Sequence, residues 1–304
     1  MGDDPVTGFE TNRRRLAAIA YRMLGSAAEA DDVVQDAFLR WHRTDRAEID
    51  DPGAFLARIV TRLCLDRLKE ARRRRETYVG TWLPEPLVTE AGFTVDPDEG
   101  VSGDISVALL LALDRLSPAE RAAFLLHDVF DVGFDEVATI LQRSPASCRQ
   151  LASRARTHIR EERPRYSTDP AEQQAIADAF FAASRSGDSG ALARLLAETA
   201  TLHSDGGGRK PAALNVLSGA GRIVRFLVGV QQKWGQQPPR FSRRLELNGL
   251  PGQLTVEADG TVQTVALAID AGRVAAVYIT RNPDKLRHLE ALVTPEVPGA
   301  LPGA

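Results

Sequence analysis

The chain has 304 residues, with 38 Lys and Arg against 41 Asp and Glu, for a formal net charge of −3. This length allows two or three domains that each bury a core, and the net charge alone does not indicate a nucleic-acid partner. The amino terminus lacks the basic and apolar regions of a signal peptide, and no apolar run approaches membrane-spanning length. We therefore expect a cytoplasmic protein without a membrane partner.

The two cysteines, Cys64 and Cys148, both fall on predicted apolar helix faces. A free cysteine in that position behaves as a small hydrophobic side chain. Two cysteines so placed favour neither a disulfide nor a metal site, which fits a reducing compartment. No metal and no cofactor are expected.

Charge is distributed unevenly along the chain. Residues 58–75 contain eight basic side chains and two acids, and residues 143–165 contain seven arginines and two acids. Residues 85–104, between them, contain six acids and neither Lys nor Arg. Two basic segments thus flank an acidic connector, and a locally basic surface is what phosphate contacts require.

The first block, about residues 9–76, is predicted to be wholly helical. Ser26 and Glu29 have the spacing of a capping box, and the apolar pattern that follows predicts a helix ending near Arg43. A second, long helix is predicted to begin at Pro52 and to end in four consecutive arginines, residues 72–75.

Residues 77–103 change in character and are predicted to form a linker. Two prolines, Pro84 and Pro86, prevent a regular helix there, and the remainder is acidic and rich in Gly and Pro. Trp82, Leu83 and Leu87 are too apolar for a simple tether. We therefore expect this segment to dock on a folded surface.

The second block, about residues 104–166, is predicted to end in a helix-turn-helix at residues 133–160. Ser144 is placed to cap the last helix, and Pro145 suits its first position. Cys148, Leu151 and Ala152 face inward at helical spacing, whereas the opposite side carries arginine, glutamine and serine. Such a face suits the DNA major groove. The alternative is a helical hairpin with a merely solvated polar face, and the excess of arginine argues against it.

The third block, from about residue 168, changes from helices to strands. Apolar spacing predicts helices around Phe180, Leu195 and Phe226, with Leu196 assigned to the second of these. Strands are predicted after them, with a hairpin at Asp259-Gly260. This order indicates an α+β domain with an antiparallel sheet.

With these residues laid out, the helical blocks resemble the extracytoplasmic-function class of bacterial sigma factors. Residues 29–38, Glu-Ala-Asp-Asp-Val-Val-Gln-Asp-Ala-Phe, are similar to the polymerase-binding helix of sigma domain 2. Residues 52–75 resemble the segment that reads and melts the minus-ten promoter element. Residues 116–121, Leu-Ser-Pro-Ala-Glu-Arg, and the helix-turn-helix resemble sigma domain 4, which reads the minus-thirty-five element.

Three further motifs resemble a subgroup that carries a C-terminal SnoaL-like extension: residues 82–87, 205–209 and 282–286. The resemblance implies two all-α sigma domains followed by an α+β, cystatin-like cone. The implied boundaries are sigma domain 2 at 1–76, the linker at 77–103, sigma domain 4 at 104–166, a SnoaL-like regulatory domain at 168–293 and a disordered tail at 294–304.

The resemblance also implies partners and contact residues. Core RNA polymerase, through its β′ clamp and β flap, is expected to bind Asp32, Gln35, Asp36 and Phe38. Promoter DNA is expected at the minus-ten element to contact Arg58, Thr61, Arg62, Arg67, Lys69, Arg72 and Arg73. At the minus-thirty-five element the expected contacts are Arg149, Gln150, Ser153, Arg154 and Arg156. The expected interdomain regulatory set is Trp82, Leu83, Pro84, Glu85, Pro86, Leu87, Asp205, Gly206, Gly207, Gly208, Asn282, Pro283, Asp284, Lys285 and Leu286.

Three positions depart from the family pattern. Gly133 replaces a Ser or Thr at the amino cap of the helix before the turn, while Glu136 keeps its place three residues on. The other two departures bear on promoter choice. Thr61 stands where many members have the Asn associated with capturing a flipped promoter base. Leu151 stands where relatives often carry a basic residue. Both departures predict an altered promoter preference.

Two other functions are compatible with the residues. The third block could be an enzyme, with His203 and Asp205 as an acid/base pair and a small-molecule ligand in its cone, attached to a DNA-binding module. The chain could also be a repressor that never binds polymerase. The Gly206-Gly207-Gly208 run could cradle an anion, but a close-approach turn that docks on another segment is favoured.

Overall fold

The structure is a computed structural model that describes residues 5–45, 49–75, 78–88, 106–162, 169–235 and 237–293. The chain forms two compact units. The first contains residues 1–78 and 87–165, and the second contains residues 79–86 and 166–304. Each unit has a hydrophobic core of its own.

The described part of the first unit is helical. Its helices are α1 (Pro5–Leu24), α2 (Ala27–Arg43), α3 (Pro52–Arg75), α4 (Val107–Asp114), α5 (Pro118–Phe124), α6 (Phe134–Leu141) and α7 (Pro145–Glu162), with a π-helical turn (Leu125–Val129) after α5. The predicted helix ends at Arg43 and Arg75 are confirmed.

Side-chain caps explain where these helices begin. The Ser26 hydroxyl accepts a hydrogen bond from the Glu29 N–H, and the Asp51 carboxylate accepts one from Ala54 at the start of α3. At α5, Ser117 and Glu120 form a reciprocal capping box. Each cap satisfies backbone donors that have no partner within the helix.

The two helical blocks share one core. Buried side chains from α1, α3, α4 and α7, such as Leu16, Leu56, Leu113 and Ala152, belong to a single cluster. Cys64 and Cys148 lie in it as free thiols, and burial raises the pKa of both. The blocks that the sequence pattern separated are therefore packed together.

The second unit has helices on a six-stranded sheet. Its elements are α8 (Pro170–Ser186), α9 (Ser189–Leu195), β1 (Leu196–Asp205), β2 (Leu217–Ser218), α10 (Ala220–Trp234), β3 (Phe241–Leu247), β4 (Leu250–Val256), β5 (Val262–Asp270), β6 (Arg273–Thr280) and α11 (Glu290–Val293), with 3-10 turns at Pro283–Lys285 and Arg287–Leu289. No helix within the described ranges is long and apolar enough to cross a membrane.

The strand order is β2-β1-β6-β5-β4-β3. All neighbours pair antiparallel except β1 and β6, which run parallel with Asp205 opposite Thr280. The prediction of an antiparallel sheet was wrong at this pair, and Leu196 belongs to β1 rather than to a helix. Strand β1 was missed because α9 runs directly into it without a turn signal. Since parallel strands end at one edge, the residues after Asp205 and after Thr280 emerge side by side.

Candidate functional site

Helix α7 buries one face and exposes the other. The Ser144 hydroxyl accepts a hydrogen bond from the Ser147 N–H, so the predicted cap is present. Cys148, Leu151 and Ala152 are buried in the core. The predicted base-contacting residues are all exposed: Arg149, Gln150, Ser153 and Arg154. Because the core holds the inner face, this polar surface is presented by a rigid helix.

Some arginines of this surface form ion pairs with neighbouring acidic side chains. The Arg156 Nε lies 2.6 Å from the Asp128 carboxylate, and an Arg154 nitrogen lies 3.8 Å from that of Glu120. Burial raises the pKa of Glu120, but the hydrogen bonds from Ser117 and the charge of Arg154 outweigh it, so that its pKa is lowered. Arg149 instead lies over the Phe134 ring, 5.7 Å from its centroid.

The basic face of α3 is also partly engaged. Arg58 lies over the Phe55 ring at 4.9 Å, and Lys69 pairs with Asp66 at 2.9 Å. Arg67 bridges to α2, with nitrogens 3.4 Å from Asp32 and 3.2 Å from Asp36. Arg72 and Arg73 belong to α3, but their side chains lie outside the described residues.

Two predicted contact residues do not belong to an open surface. Thr61 is fully buried on α3, and its hydroxyl has no hydrogen-bond partner. Its expected contact with a promoter base is therefore incompatible with this arrangement. Phe38 is half-buried and packs edge-to-face on Phe9 with centroids 5.0 Å apart, whereas Gln35 is exposed. Phe38 thus contributes at least partly to the core.

Contacts join α3 to the helix-turn-helix. Arg62 donates to the carbonyls of Thr139 and Ile140 in α6, both at 3.4 Å. Beside this contact lies a cleft of about 480 Å³, with Asp50 and Arg58 on one side and Glu136 and Thr139 on the other. The predicted minus-ten and minus-thirty-five readers are therefore in contact within the first unit.

A buried arginine strengthens the same packing. Arg121, only 4% exposed, donates to the Met23 carbonyl at the end of α1 at 2.5 Å and pairs with Asp114 at 3.0 Å. Burial lowers its pKa to about 10. Arg121 ends the motif at residues 116–121, but its contacts could not be predicted, because helical spacing does not distinguish a buried arginine from an exposed one.

In the second unit, a buried ion pair holds the linker segment 79–86. The Lys285 ammonium donates to Asp205 Oδ2 at 2.7 Å and to the Leu83 carbonyl, and the Leu83 N–H donates to the same Oδ2 at 2.9 Å. The Lys285 nitrogen also lies 4.3 Å from the centroid of the Trp82 ring, a favourable cation–π position. We call Asp205, Lys285 and the backbone of Leu83 the linker clamp.

Neighbouring contacts extend the linker clamp. Leu83, Pro84, Glu85 and Pro86 are buried, and His288 Nε2–H donates to the Pro86 carbonyl at 2.7 Å. Leu87, by contrast, belongs to the core of the first unit. The chain therefore enters the second unit at Val79 and leaves it after Pro86.

The glycine motif permits close approach. Gly207 has a φ of +59°, and a Cβ added to it would lie 2.3 Å from Asn282 Nδ2. A Cβ at Gly206 would lie 2.1 Å from the Lys210 carbonyl, and one at Gly208 would lie 3.3 Å from Val79. The Gly207 N–H donates to Asp205 Oδ1. These glycines form a tight turn that leaves room for the linker and the Asn282 motif.

The motif at residues 282–286 forms the other wall. The Asn282 N–H donates to the Asp205 carbonyl, and its side chain caps the 3-10 turn that begins at Pro283. Asp284 pairs with Arg209 at 3.1 Å and with Arg287 at 2.7 Å. Leu286 is buried beside them. The structure thus brings together the three motifs predicted to form an interdomain set.

The proposed acid/base pair has structural contacts. His203 Nε2 lies 3.2 Å from Thr201 Oγ1, and its ring lies on Tyr278 at 5.3 Å. The Asp205 carboxylate accepts hydrogen bonds from Leu83, Gly207 and Lys285. These contacts assign Asp205 to the linker clamp. Within the described ranges, no group of three or more His, Cys, Asp or Glu could hold a metal ion.

Comparison with known proteins places this geometry in context. The family model Sigma-70 region 2 matches residues 9–74, and Sigma-70 region 4 matches residues 106–159. The chain is 39% identical to the ECF RNA polymerase sigma factor SigJ of Mycobacterium tuberculosis, over 92% of each chain. It is 32% identical to the probable ECF RNA polymerase sigma factor SigI of the same species, over 95% of this chain and 97% of the relative. The crystal structure of M. tuberculosis SigJ superposes with a TM-score of 0.75, covering 93% of this chain and 98% of that one.

Replacing Lys285 should test the linker clamp. Lys285→Met leaves the buried Asp205 carboxylate without its counter-charge, which typically costs about 3–5 kcal/mol. We expect the free energy of unfolding of the second unit to fall by that amount, as measured by denaturant titration, and amide exchange in residues 79–86 to quicken. Arg194→Met, at an exposed cation of the same unit outside the linker clamp, is the matched control. A Lys285→Met protein with unchanged stability and exchange would show that the clamp contributes nothing.

Proposed function

Since the chain belongs to the extracytoplasmic-function family of RNA polymerase sigma factors, we propose that α7 reads the minus-thirty-five element and α3 the minus-ten element. The observation that carries this assignment is the exposed polar face of α7, with Arg149, Gln150, Ser153 and Arg154 on a helix whose other face is fixed in the core. Bidentate side chains on such a helix discriminate bases in the major groove. Arg156 has a carboxylate partner and suits a phosphate contact.

On α3 and α2 we assign electrostatic roles. Arg58, Arg62, Arg67 and Lys69 follow the phosphates of the melted strand, while Asp32, Gln35 and Asp36 bind core polymerase. Arg67 pairs with Asp32 and Asp36 across the two sets. Polymerase contacts to these acids would therefore release Arg67 for DNA, although exposed pairs of this kind are individually weak.

Promoter binding requires the two readers to separate. The minus-ten and minus-thirty-five promoter elements lie about 25 base pairs apart, which is about 85 Å of B-DNA. The longest helix of the first unit, α3, measures only about 36 Å. Two readers in direct contact therefore cannot span the distance between the two elements. Arg62 instead contacts α6, and Arg121 ties α5 to α1. We therefore take this packed arrangement as the closed form, which core polymerase opens.

The linker clamp controls how far the readers separate. A flexible linker of 31 residues, the number between α3 and α4, has a typical end-to-end distance of only about 30 Å. Holding residues 79–86, with their two prolines, in one conformation keeps this part of the linker from collapsing and reduces the entropy lost on two-point binding. The second unit thereby acts as a positive regulator of promoter engagement.

Arg149 provides the test of the recognition helix. Because a bidentate base contact contributes about 1–3 kcal/mol, Arg149→Ala should lower promoter-directed transcription by at least about tenfold without changing the melting temperature. The measurement is transcription in vitro with purified core polymerase. Arg194→Ala removes an equally exposed arginine of the second unit and serves as control. Equal transcription from both variants would remove Arg149 from the interface.

Cross-linking tests the closed form. Asp50 and Thr139 are exposed on opposite sides of the cleft and belong to neither predicted DNA surface. In Asp50→Cys/Thr139→Cys, a reducible bis-methanethiosulfonate reagent should abolish promoter-directed transcription, and dithiothreitol should restore it. The native Cys64 and Cys148 are protected by burial, and each single-cysteine variant controls for modification. Full transcription by the cross-linked protein would mean that the readers need not separate.

The clamp variant tests regulation. If holding the linker favours two-point promoter binding, Lys285→Met should lower promoter-directed transcription at least about threefold, because the effective concentration of the second reader falls. Arg194→Met should match the unaltered protein. Unchanged or increased transcription from Lys285→Met, with exchange in residues 79–86 raised as above, would contradict positive regulation.

A further inference from the structure

The second unit contains a cavity of about 810 Å³ enclosed by α8, α10 and the sheet. Its wall is apolar on one side, with Phe180 and Phe226 from the helices and Val277 and Ile279 from β6. Trp234, at the end of α10, also lines it and is 56% exposed. Volumes of about 300–1,000 Å³ and predominantly apolar walls are typical of small-molecule sites.

Two polar atoms of the lining residues are buried without hydrogen-bond partners. They are Arg281 Nε and the Ser184 hydroxyl. The Arg281 guanidinium also donates a hydrogen bond from Nη1 to the Pro211 carbonyl at 2.7 Å. Buried donors without acceptors are costly, and a ligand with acceptor oxygens would remove that cost.

The charges of the wall favour an anion. The Asp259 carboxylate is occupied by the N–H and hydroxyl of Thr261, at 2.8 and 2.9 Å. Glu257 accepts a hydrogen bond from Gln263, and burial raises its pKa, which disfavours its charged form. The Thr261 hydrogen bonds lower the pKa of Asp259 and keep it charged, but the cavity wall carries three cations, Arg185, Lys233 and Arg281, against these two acids. Arginine is suited to bidentate recognition of a carboxylate.

We propose that this cavity binds an amphipathic carboxylate, a small molecule whose aromatic or aliphatic body lies against Phe180 and Phe226 and whose carboxylate pairs with Arg281. The apolar wall supplies affinity through burial of the ligand body. The guanidinium supplies discrimination against uncharged analogues of the same shape.

Occupancy of the cavity is transmitted to the linker clamp through two strands. Ser204 lines the cavity and precedes Asp205 on β1, and Arg281 lines it and precedes Asn282 after β6. The Arg281 N–H donates to the Asp205 carbonyl at 2.7 Å. A ligand that fixes the Arg281 side chain therefore stiffens the backbone that holds Asp205. This transmission rests on the regulatory role proposed for the clamp, whereas ligand binding itself does not.

Calorimetric titration of the full chain tests the binding. The probes are 2-naphthoate and 2-naphthylmethanol, which share an aromatic body and differ in the carboxylate. We expect 2-naphthoate to bind at least about tenfold more tightly, as a charge-assisted hydrogen bond implies. Arg281→Gln should remove this preference, and Arg273→Gln, at an exposed arginine of β6, should retain it. Val230→Trp, which fills the cavity from α10, should abolish binding of both probes.

Several results would overturn the proposal. These are no binding of 2-naphthoate, equal affinity for the two probes, a preference that survives Arg281→Gln, or binding unaffected by Val230→Trp. Amide exchange tests transmission separately: 2-naphthoate should slow exchange at residues 79–86 in the unaltered chain, and unchanged exchange in the bound state would refute it. Neither measurement uses polymerase or promoter DNA. Failure of the ligand proposal can therefore be distinguished from failure of the transcription predictions.

Discussion

The buried ion pair of Asp205 and Lys285 determines what the second unit can do, because it buries a piece of linker backbone. A linker has backbone N–H and carbonyl groups that must remain paired when they leave water. At Leu83 both groups are paired, the N–H with Asp205 and the carbonyl with Lys285. An isolated buried ion pair is often no better than an apolar substitute. Here the two charges also satisfy each other, so a single pair specifies which linker residue lies in the site.

In the first unit, arginine serves both folding and the proposed DNA contacts. Arg121 is buried and packs the two blocks together, while Arg62, Arg67 and Arg156 have partners that DNA or polymerase would replace. Losing such a partner costs free energy, and this cost reduces the net free energy gained from each new phosphate contact. Under the proposed function, the closed form would therefore suppress non-specific binding to DNA, which is dominated by phosphate electrostatics. Arg149 has only an aromatic ring beneath it in the described contacts, so its function in recognition involves no such exchange.

The sequence pattern was sufficient to predict those structural features that are determined by local interactions. The caps at Ser26 and Ser144 and the ends of α2 and α3 follow from spacing within one turn of helix. The exposed face of α7 follows from the 3.6-residue period. Strand β1 was missed because its pairing partner β6 lies about 75 residues later, and no local signal separates it from α9. The burial of Thr61 and the contacts of Arg121 depend on packing between blocks, which a helical period cannot reveal.

The parallel pair of β1 and β6 connects these observations. In a fully antiparallel sheet, adjacent strands end at opposite edges, and Asp205 would not lie beside the Asn282 motif. With β1 and β6 parallel and in register at Asp205 and Thr280, both chains leave the sheet at one edge. There the glycine turn and the 3-10 turn meet to form the clamp, while the residues just before them face the cavity. Proximity of a candidate ligand site to the held linker is thus a consequence of strand order, and under the proposed function it is how this domain would act on the spacing of the two DNA readers.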